Sequence, residues 1–472
     1  MTAVVRRPAH LNQEAVVRIA FVNPKRTVPA ISDPRHFDGD STAENALADA
    51  TLYEPYNKLS KCPMGLLMLQ SLTPEGVECE HVDANFEVLD YEKLADFDMV
   101  ALTGITFQAA QIHEIAANLR GGRCRTVCGG VHATVAPEET AMAVDCVVTG
   151  EAEGVWPRLL RDLEAGRLQR RYDGTRSDMA SSPAPRYAAL QKYRKAGDTM
   201  GVMIRTSAGC PHDCEFCSVR LIQGNRVRFG PVANACRDLR GIHDALGGSV
   251  RTVTILDDNF TMSKRRTLEV LRGLRATGIG YRFMAQGDIS VADSDELMGE
   301  MVLAGMHNLQ IGFESLEAGN LADVDRWKLK RRRDYARDIQ RLQDYGINIW
   351  ASFIVGLDDD DEGCFERLYR FLRESNIKDV QVSVLQPYPG TRLHRRLQAE
   401  GRLFYDGLPW HEVPVGMFSP IYQPRRMSAR TVVEGLVWLT HQMYGTQEAL
   451  ERRRTLADQL AERRNSVLAR CA

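Results

Sequence analysis

The string SAGCPHDCEFC sets Cys210, Cys214 and Cys217 in a C-x3-C-x2-C run directly behind a strand-like segment, VMIRTS. Thiolates favour soft metals, and three on one short loop can hold three irons of a cubane cluster while the fourth iron keeps an open position. An open iron is a place for a small molecule. The competing reading is a structural zinc site, but that wants four ligands, usually from two C-x2-C pairs, and the sequence holds no second pair. Eleven cysteines in 472 residues, with three crowded into one loop, are the reverse of a disulfide framework. Cys236, Cys364 and Cys471 show no ligand spacing and stay unassigned.

Polar groups recur where later strand-like segments end. Asp257, Asp258 and Asn259 follow TVTIL, Gln286 and Ser290 follow or close YRFMAQ, and Gly312, Glu314 and Ser315 close NLQIGFES. Ile354 and Gly356 end SFIVGL, and Pro387, Pro389 and Gly390 make a rigid turn in LQPYPGTRL. Asp257 and Asp258 also suit a helix cap, since Asp is favoured there. Ahead of the cysteines a different set appears at strand ends: Gly65 in CPMGL, Gly104, Thr106 and Gln108 in TGITFQ, Gly129, Gly130, His132 and Thr134 in GGVHAT, and Glu151 in GEAE. Glycine lets the backbone approach a bulky flat ring, and threonine hydroxyls can bond amide side arms. The first strand runs into FVNPKRT without G-x-G-x-x-G, which disfavours a dinucleotide.

These groups need two α/β scaffolds. Residues 1–154 read as a Rossmann-like domain with five strands at 18–22, 78–83, 99–104, 126–129 and 146–149, interrupted by a long insertion over 24–61. Residues 155–200 read as a connector. Residues 201–398 give six βα units without antiparallel hairpins, a partial TIM-type barrel whose chemistry belongs at the C-terminal strand ends. Residues 399–472 read as helical, closing in a solvated amphipathic helix. The basic run at 326–333 is expected to be a solvated helix face, and His307, His394 and His411 to be structural.

Sixty Lys+Arg against sixty-two Asp+Glu leave a net charge of -2, which gives no field to gather nucleic acid or anionic membrane. No apolar run reaches the roughly 20 residues of a membrane span, and the first residues lack a signal-peptide core, so a cytoplasmic protein is expected.

The cysteine loop, with the aromatic Phe216 just before its third cysteine, resembles the radical S-adenosylmethionine (SAM) superfamily. The glycine- and threonine-rich strand ends and the LQPYPGTRL segment resemble its cobalamin-binding branch. The resemblance implies a [4Fe-4S] cluster on Cys210, Cys214 and Cys217, and SAM on its open iron, cleaved by one electron to a 5'-deoxyadenosyl radical. It assigns SAM contacts to Phe216, Asp257, Asp258, Gln286, Ser290, Gly312, Glu314, Ile354 and Gly356, although Ser352 stands where a glycine is usual. It assigns cobalamin contacts to Gly65, Gly104, Thr106, Gln108, Gly129, Gly130, His132, Thr134 and Glu151. No side chain is assigned as catalytic, because cofactors make the bonds.

The implied function is methylation of an unactivated carbon or phosphorus centre in a small metabolite, lipid or natural product, with an electron donor such as flavodoxin or ferredoxin. Ring formation or aminocarboxypropyl transfer on the same barrel, with or without cobalamin, is the alternative, and a sensor without turnover is a third reading. The stretch Asp33 to Gly39 reads D-x-x-H-x-x-G, one residue longer than a histidine-on-cobalt motif, so His36 is expected to stay off the metal.

Overall fold

The structure, a computed structural model, describes residues 17–26, 62–324, 326–418 and 420–471. His36 and nearly all of the 24–61 insertion lie outside the described residues. The first sheet comprises β1 (Arg18–Asn23), β2 (Glu78–Asp83), β3 (Met99–Thr103), β4 (Arg125–Gly129), β5 (Cys146–Thr149) and β6 (Arg171–Asp173). All pairings are parallel, in the order β2-β1-β3-β4-β5-β6. Strand β1 is buried from Ile19 through Asn23, as a central strand covered on both faces must be.

Alternate residues serve two layers. Ala20, Val22, Val100 and Leu102 pack with Ile112 and Ile115 of helix Ala109–Leu119. Ile19, Phe21, Met99 and Ala101 pack with Leu66 of helix Met64–Leu72 and with Trp156 of helix Trp156–Glu164. The winding reverses between β1 and β3, and in open α/β sheets the crevice outside the strand C-termini at that reversal is where ligands bind.

The sixth strand corrects the expected count of five. It comes from the stretch read as a connector, which also supplies helix Trp156–Glu164. Tyr172 in β6 is buried and donates its hydroxyl to Asp162 Oδ2 at 2.9 Å. Farther along, Tyr187, Leu190 and Tyr193 pack into the core of the second sheet, so this stretch is a packed bridge.

The second sheet is built from β7 (Met203–Ile204), β10 (Thr252–Ile255), β11 (Arg282–Gly287), β12 (Met306–Glu314), β13 (Asn348–Val355) and β14 (Asp379–Val384). It is parallel in the order β14-β13-β12-β11-β10-β7, and β7 and β14 stay unpaired with each other, as in a partial barrel. Strands β13 and β14 alternate half-buried and buried residues along their lengths. One side lies under helices and the other lines the lumen.

Two further readings change. An antiparallel pair, β8 (Ser207–Ala208) with β9 (Arg228–Phe229), brackets the cysteine loop where no hairpin was expected. The last helix, Gln447–Cys471, packs Ala449, Leu460 and Val467 inward against helices Asp295–Leu303 and Tyr335–Asp344 rather than standing in solvent. No helix among the described residues is long and apolar enough to cross a membrane.

Candidate functional site

The cysteine loop starts where β8 ends and is held from three sides. Asp258, just beyond β10, accepts the Gly209 amide at 2.9 Å, fixing the backbone immediately before Cys210. From behind, helix Arg392–Ala399 reaches the loop through Arg396, whose guanidinium donates to Glu215 Oε1 at 2.6 Å, and through the Leu393 amide, bonded to the Glu215 carbonyl at 3.0 Å. The turn at Gly390 that opens this helix lies against Leu221 of helix Val219–Ile222 and near the Val135 carbonyl. The LQPYPGTRL segment is therefore the clamp on the loop. A cleft of about 260 Å³ opens between them, lined by Cys214, Cys217, Leu221, Gly390 and Arg392.

The three cysteines form no disulfide and are partly exposed, and their sulfurs do not all lie within 4.8 Å of one another. A single tetrahedral zinc, with Zn–S bonds of about 2.3 Å, would draw them to about 3.8 Å. The wider spread suits irons at separate corners of a cluster. Burial above all pushes the Cys217 thiol up from its ordinary value, and the negative charges of Cys210, Asp258 and Glu314 push the same way. Thiolates gathered like this need cationic charge, which iron supplies.

The rim of the second sheet brings several expected groups together. Glu314 ends β12 at a register shift with φ of +64°, a left-handed conformation that costs a non-glycine residue about 1–2 kcal/mol. Its carboxylate accepts from Lys328 Nζ at 2.5 Å, and the two side chains are only 13% and 12% exposed. A Cβ on Gly312 would stand 2.5 Å from Glu314 Oε1, so the glycine makes room for the pair. Gln286 donates to Gln310 at 3.3 Å and Gln310 to Gln381 at 3.4 Å, an amide ladder across the lumen. Phe216 and Ile354 are half-buried against the barrel core.

Other expected contacts are turned to structural work. Asp257 is 3% exposed and accepts from the Thr206 amide and hydroxyl and the Ser207 hydroxyl at 2.6 to 2.7 Å. It caps no helix; Ser263 does that for helix Lys264–Ala276. Ser290 bonds Asp288 through both its amide and its hydroxyl. Gly356, with φ of +87°, abuts Tyr422, whose hydroxyl donates to its carbonyl at 2.5 Å.

At the C-terminal edge of the first sheet the arrangement is one of close backbone. Gly130 has φ of +91°, and a Cβ there would sit 2.4 Å from Thr103 Oγ1; one on Gly104 would sit 2.7 Å from Ile112. Thr134 donates to the Gly130 carbonyl at 2.7 Å and accepts the Gly150 amide at 3.0 Å, tying the β4 and β5 ends. Gln108 accepts the Ile105 amide at 3.0 Å and donates to the Pro24 carbonyl, spanning the winding reversal. Thr106 is buried, while Gly65 is exposed with nothing within 4 Å of a would-be Cβ. The glycine ledge, with Gly129 beside it, offers bare backbone, which lets a flat macrocycle approach closely.

Two expected contacts do not face this ledge. Glu151 is taken up by Ser177 and by Arg228 of β9, which ties the end of β5 to the antiparallel pair around the cysteine loop. His132 is fully buried, and its electrostatic neighbours are Glu139 and His411. The helix carrying it, Gly130–Val135, packs against Val219–Ile222 just after the cysteine loop. The two rims therefore meet.

Sequence reasoning missed Lys328, Gln310 and Gln381. Lys328 was hidden in the basic run read as solvated, a run whose Arg331 also pairs with Asp293 at 2.7 Å and with Asp338 at 2.5 Å.

Residues 61–160 match the B12 binding domain family, and residues 204–372 match the radical SAM superfamily. The chain is 24% identical over 384 residues to bacteriochlorophyllide d C-12(1)-methyltransferase of Chlorobaculum tepidum, covering 81% of this chain and 82% of that one. It is 27% identical over 348 residues to bacteriochlorophyllide d C-8(2)-methyltransferase of the same organism, covering 72% and 76%. Among solved structures, the radical SAM methyltransferase TsrM of Kitasatospora setae, with cobalamin and a [4Fe-4S] cluster bound, superposes with a TM-score of 0.63 at 15% identity, covering 91% of this chain and 82% of that one. With its B12-binding domain set against a radical SAM barrel, a [4Fe-4S] cluster with SAM and a corrin as its cofactors, the chain belongs to the cobalamin-dependent radical SAM enzymes.

Proposed function

We propose that this enzyme is a methyltransferase that places a methyl group on an unactivated carbon, or a phosphorus centre, of a small metabolite, lipid or natural product. The observation that carries the reading is the meeting of the two rims. Helix Gly130–Val135 of the first domain packs on the helix that leaves the cysteine loop, so a group on the glycine ledge and one on the cysteines share one space. When bound, the cofactors supply a 5'-deoxyadenosyl radical and a transferable methyl group. The names of the two bacteriochlorophyllide methyltransferases support carbon as the acceptor.

In this reading Cys210, Cys214 and Cys217 hold three irons, with Asp258 and Arg396 fixing the loop between them. Glu314 receives the amino group of SAM, which would then compete with Lys328 for the same carboxylate. Gln286 and the rest of the amide ladder face the ribose or the substrate. Phe216, Gly312 and Ile354 shape the SAM pocket, whereas Asp257, Ser290 and Gly356 support it from behind. Gly65, Gly104, Thr106, Gln108, Gly129, Gly130 and Thr134 form the corrin ledge. Buried Phe313, Phe353 and Val355 close the barrel wall behind the lumen, under the covering helices. An electron carrier such as flavodoxin or ferredoxin reduces the cluster.

The test is product analysis after anaerobic reconstitution with SAM, cobalamin and a chemical reductant, using a metabolite extract as the substrate source. S-adenosylhomocysteine formed together with 5'-deoxyadenosine is the expected result. Methylthioadenosine would instead mean aminocarboxypropyl transfer, and 5'-deoxyadenosine without S-adenosylhomocysteine would mean another radical bond formation.

A further inference from the structure

Beside His132, three side chains from distant parts of the chain converge. His113 comes from helix Ala109–Leu119, Glu139 from helix Pro137–Ala143, and His411 from the C-terminal region, 272 positions beyond Glu139. Glu139 Oε2 accepts the Trp410 amide at 2.7 Å, and Oε1 accepts the His411 amide at 2.9 Å. His411 Nδ1 lies 3.0 Å from Oε1 and His113 Nε2 lies 3.8 Å from it. The two imidazoles stack at 3.7 Å with 16° between their planes. One donor atom from each of the three residues falls within 4.8 Å of the others, and the side chains are 16%, 10% and 26% exposed in chain order.

Hydrogen bonding inside the cluster does not satisfy all its members. The backbone amides orient the carboxylate, and His411 Nδ1 is bonded, but His113 Nε2 is buried with no partner. Both ring nitrogens of the neighbouring His132 are in the same state. Buried polar groups are normally paired, so three unpaired ring nitrogens in one neighbourhood call for an explanation. Two imidazoles and one carboxylate are donor types that zinc takes, with bonds of about 2.0–2.2 Å; to reach one ion the 3.8 Å gap must close by a few tenths of an ångström and the stacked rings must swing apart until their in-plane lone pairs converge. The amides on Glu139 supply the outer hydrogen bonds that orient a metal ligand.

We propose that His113, Glu139 and His411 form a binding site for a divalent transition cation of the zinc class, with water in the fourth position. The site staples the C-terminal segment around Trp410 to the cobalamin-binding domain. It does not depend on which group the enzyme transfers.

The test uses the full enzyme with its iron–sulfur cluster reconstituted, so that the cysteine loop is filled, and Zn²⁺ alone as the probe. After dialysis the wild type should keep one zinc per chain beyond its iron, and zinc-edge X-ray absorption should show nitrogen and oxygen neighbours without sulfur. His411→Gln and Glu139→Gln should weaken zinc retention by more than the about 10–100-fold that loss of a supporting residue costs. Added zinc should raise the melting midpoint of the wild type, a reading that needs no variant to fold. A wild type that keeps no zinc, a sulfur shell, or equal retention in a folded His411→Gln variant would overturn the proposal. So would a midpoint that ignores zinc but follows pH through the histidine range, which would make the cluster a proton-linked latch.

Discussion

The two rims that meet in this enzyme are built on opposite principles. The edge of the first sheet is neutral and made of backbone: Gly104 and Gly130 leave no room for a side chain, and Thr134 ties neighbouring strand ends. The mouth of the second sheet is charged and strained, with Glu314 in a left-handed conformation, paired to Lys328, beside three crowded thiols. A flat macrocycle needs surface and access, which backbone supplies. A zwitterionic ligand and an iron cluster need charge held in place, which costs strain and desolvation. The same α/β architecture is thus tuned toward shape at one rim and toward electrostatics at the other.

Separating the two rims by mutation is the strongest way to break this comparison. Replacing Cys210, Cys214 and Cys217 together with Ala should abolish the brown iron–sulfur absorbance completely while cobalamin uptake persists. Cys236→Ala should leave both unchanged, since that thiol sits in the barrel core. In the opposite direction, Gly130→Val should abolish cobalamin uptake and keep the cluster. Its Cβ would meet Thr103 Oγ1 at 2.4 Å in a left-handed conformation, at a cost above about 1–2 kcal/mol. Absorbance spectra of the reconstituted variants check both. Equal loss of both cofactors in a folded variant would merge the two rims into one unit.

A smaller effect sharpens the electrostatic half. Glu314→Gln should keep the cluster but weaken SAM binding about tenfold or more, roughly 1.4 kcal/mol, and slow 5'-deoxyadenosine formation. Lys328→Met frees the carboxylate and should leave SAM affinity equal or tighter. Equilibrium dialysis with labelled SAM measures both.

The smallest effect is on pH dependence and appears in both sheets. Burial, foremost, pushes His81 in β2 and His307 in β12 down to about 4. Each therefore binds a proton in the unfolded chain before it does so in the folded one. Their stabilising contribution is complete above about pH 6.5 and is lost as pH falls from there toward 4, with roughly 1 kcal/mol each disappearing by pH 5.5. His81→Gln should flatten the fall of the melting midpoint between pH 6.5 and 5.5.

What could be read in advance was what spacing records. The cysteine loop, the glycine strand ends and the six barrel strands follow local rules of chain geometry, so they stand in the sequence as they stand in the fold. What escaped was the choice among partners. Asp257, Glu151 and Ser290 lie at the expected strand ends, but short loops bring Thr206, Ser177, Arg228 and Asp288 to them first. A basic run looks the same whether it is solvated or, like Lys328, folded over a carboxylate. Strand β6 is three residues with one buried side chain, too short an alternation to register. The His113, Glu139 and His411 cluster draws on three separate helices and loops, so nothing in the local sequence announces it.

The central claim is that both rims face one space within a single molecule. Electron paramagnetic resonance of the enzyme carrying a reduced cluster and Co(II) corrin tests it most directly. The two paramagnets should broaden and relax each other, and the coupling should disappear with the cluster in the triple-cysteine variant. Two sharp, independent signals from a fully loaded enzyme would contradict it.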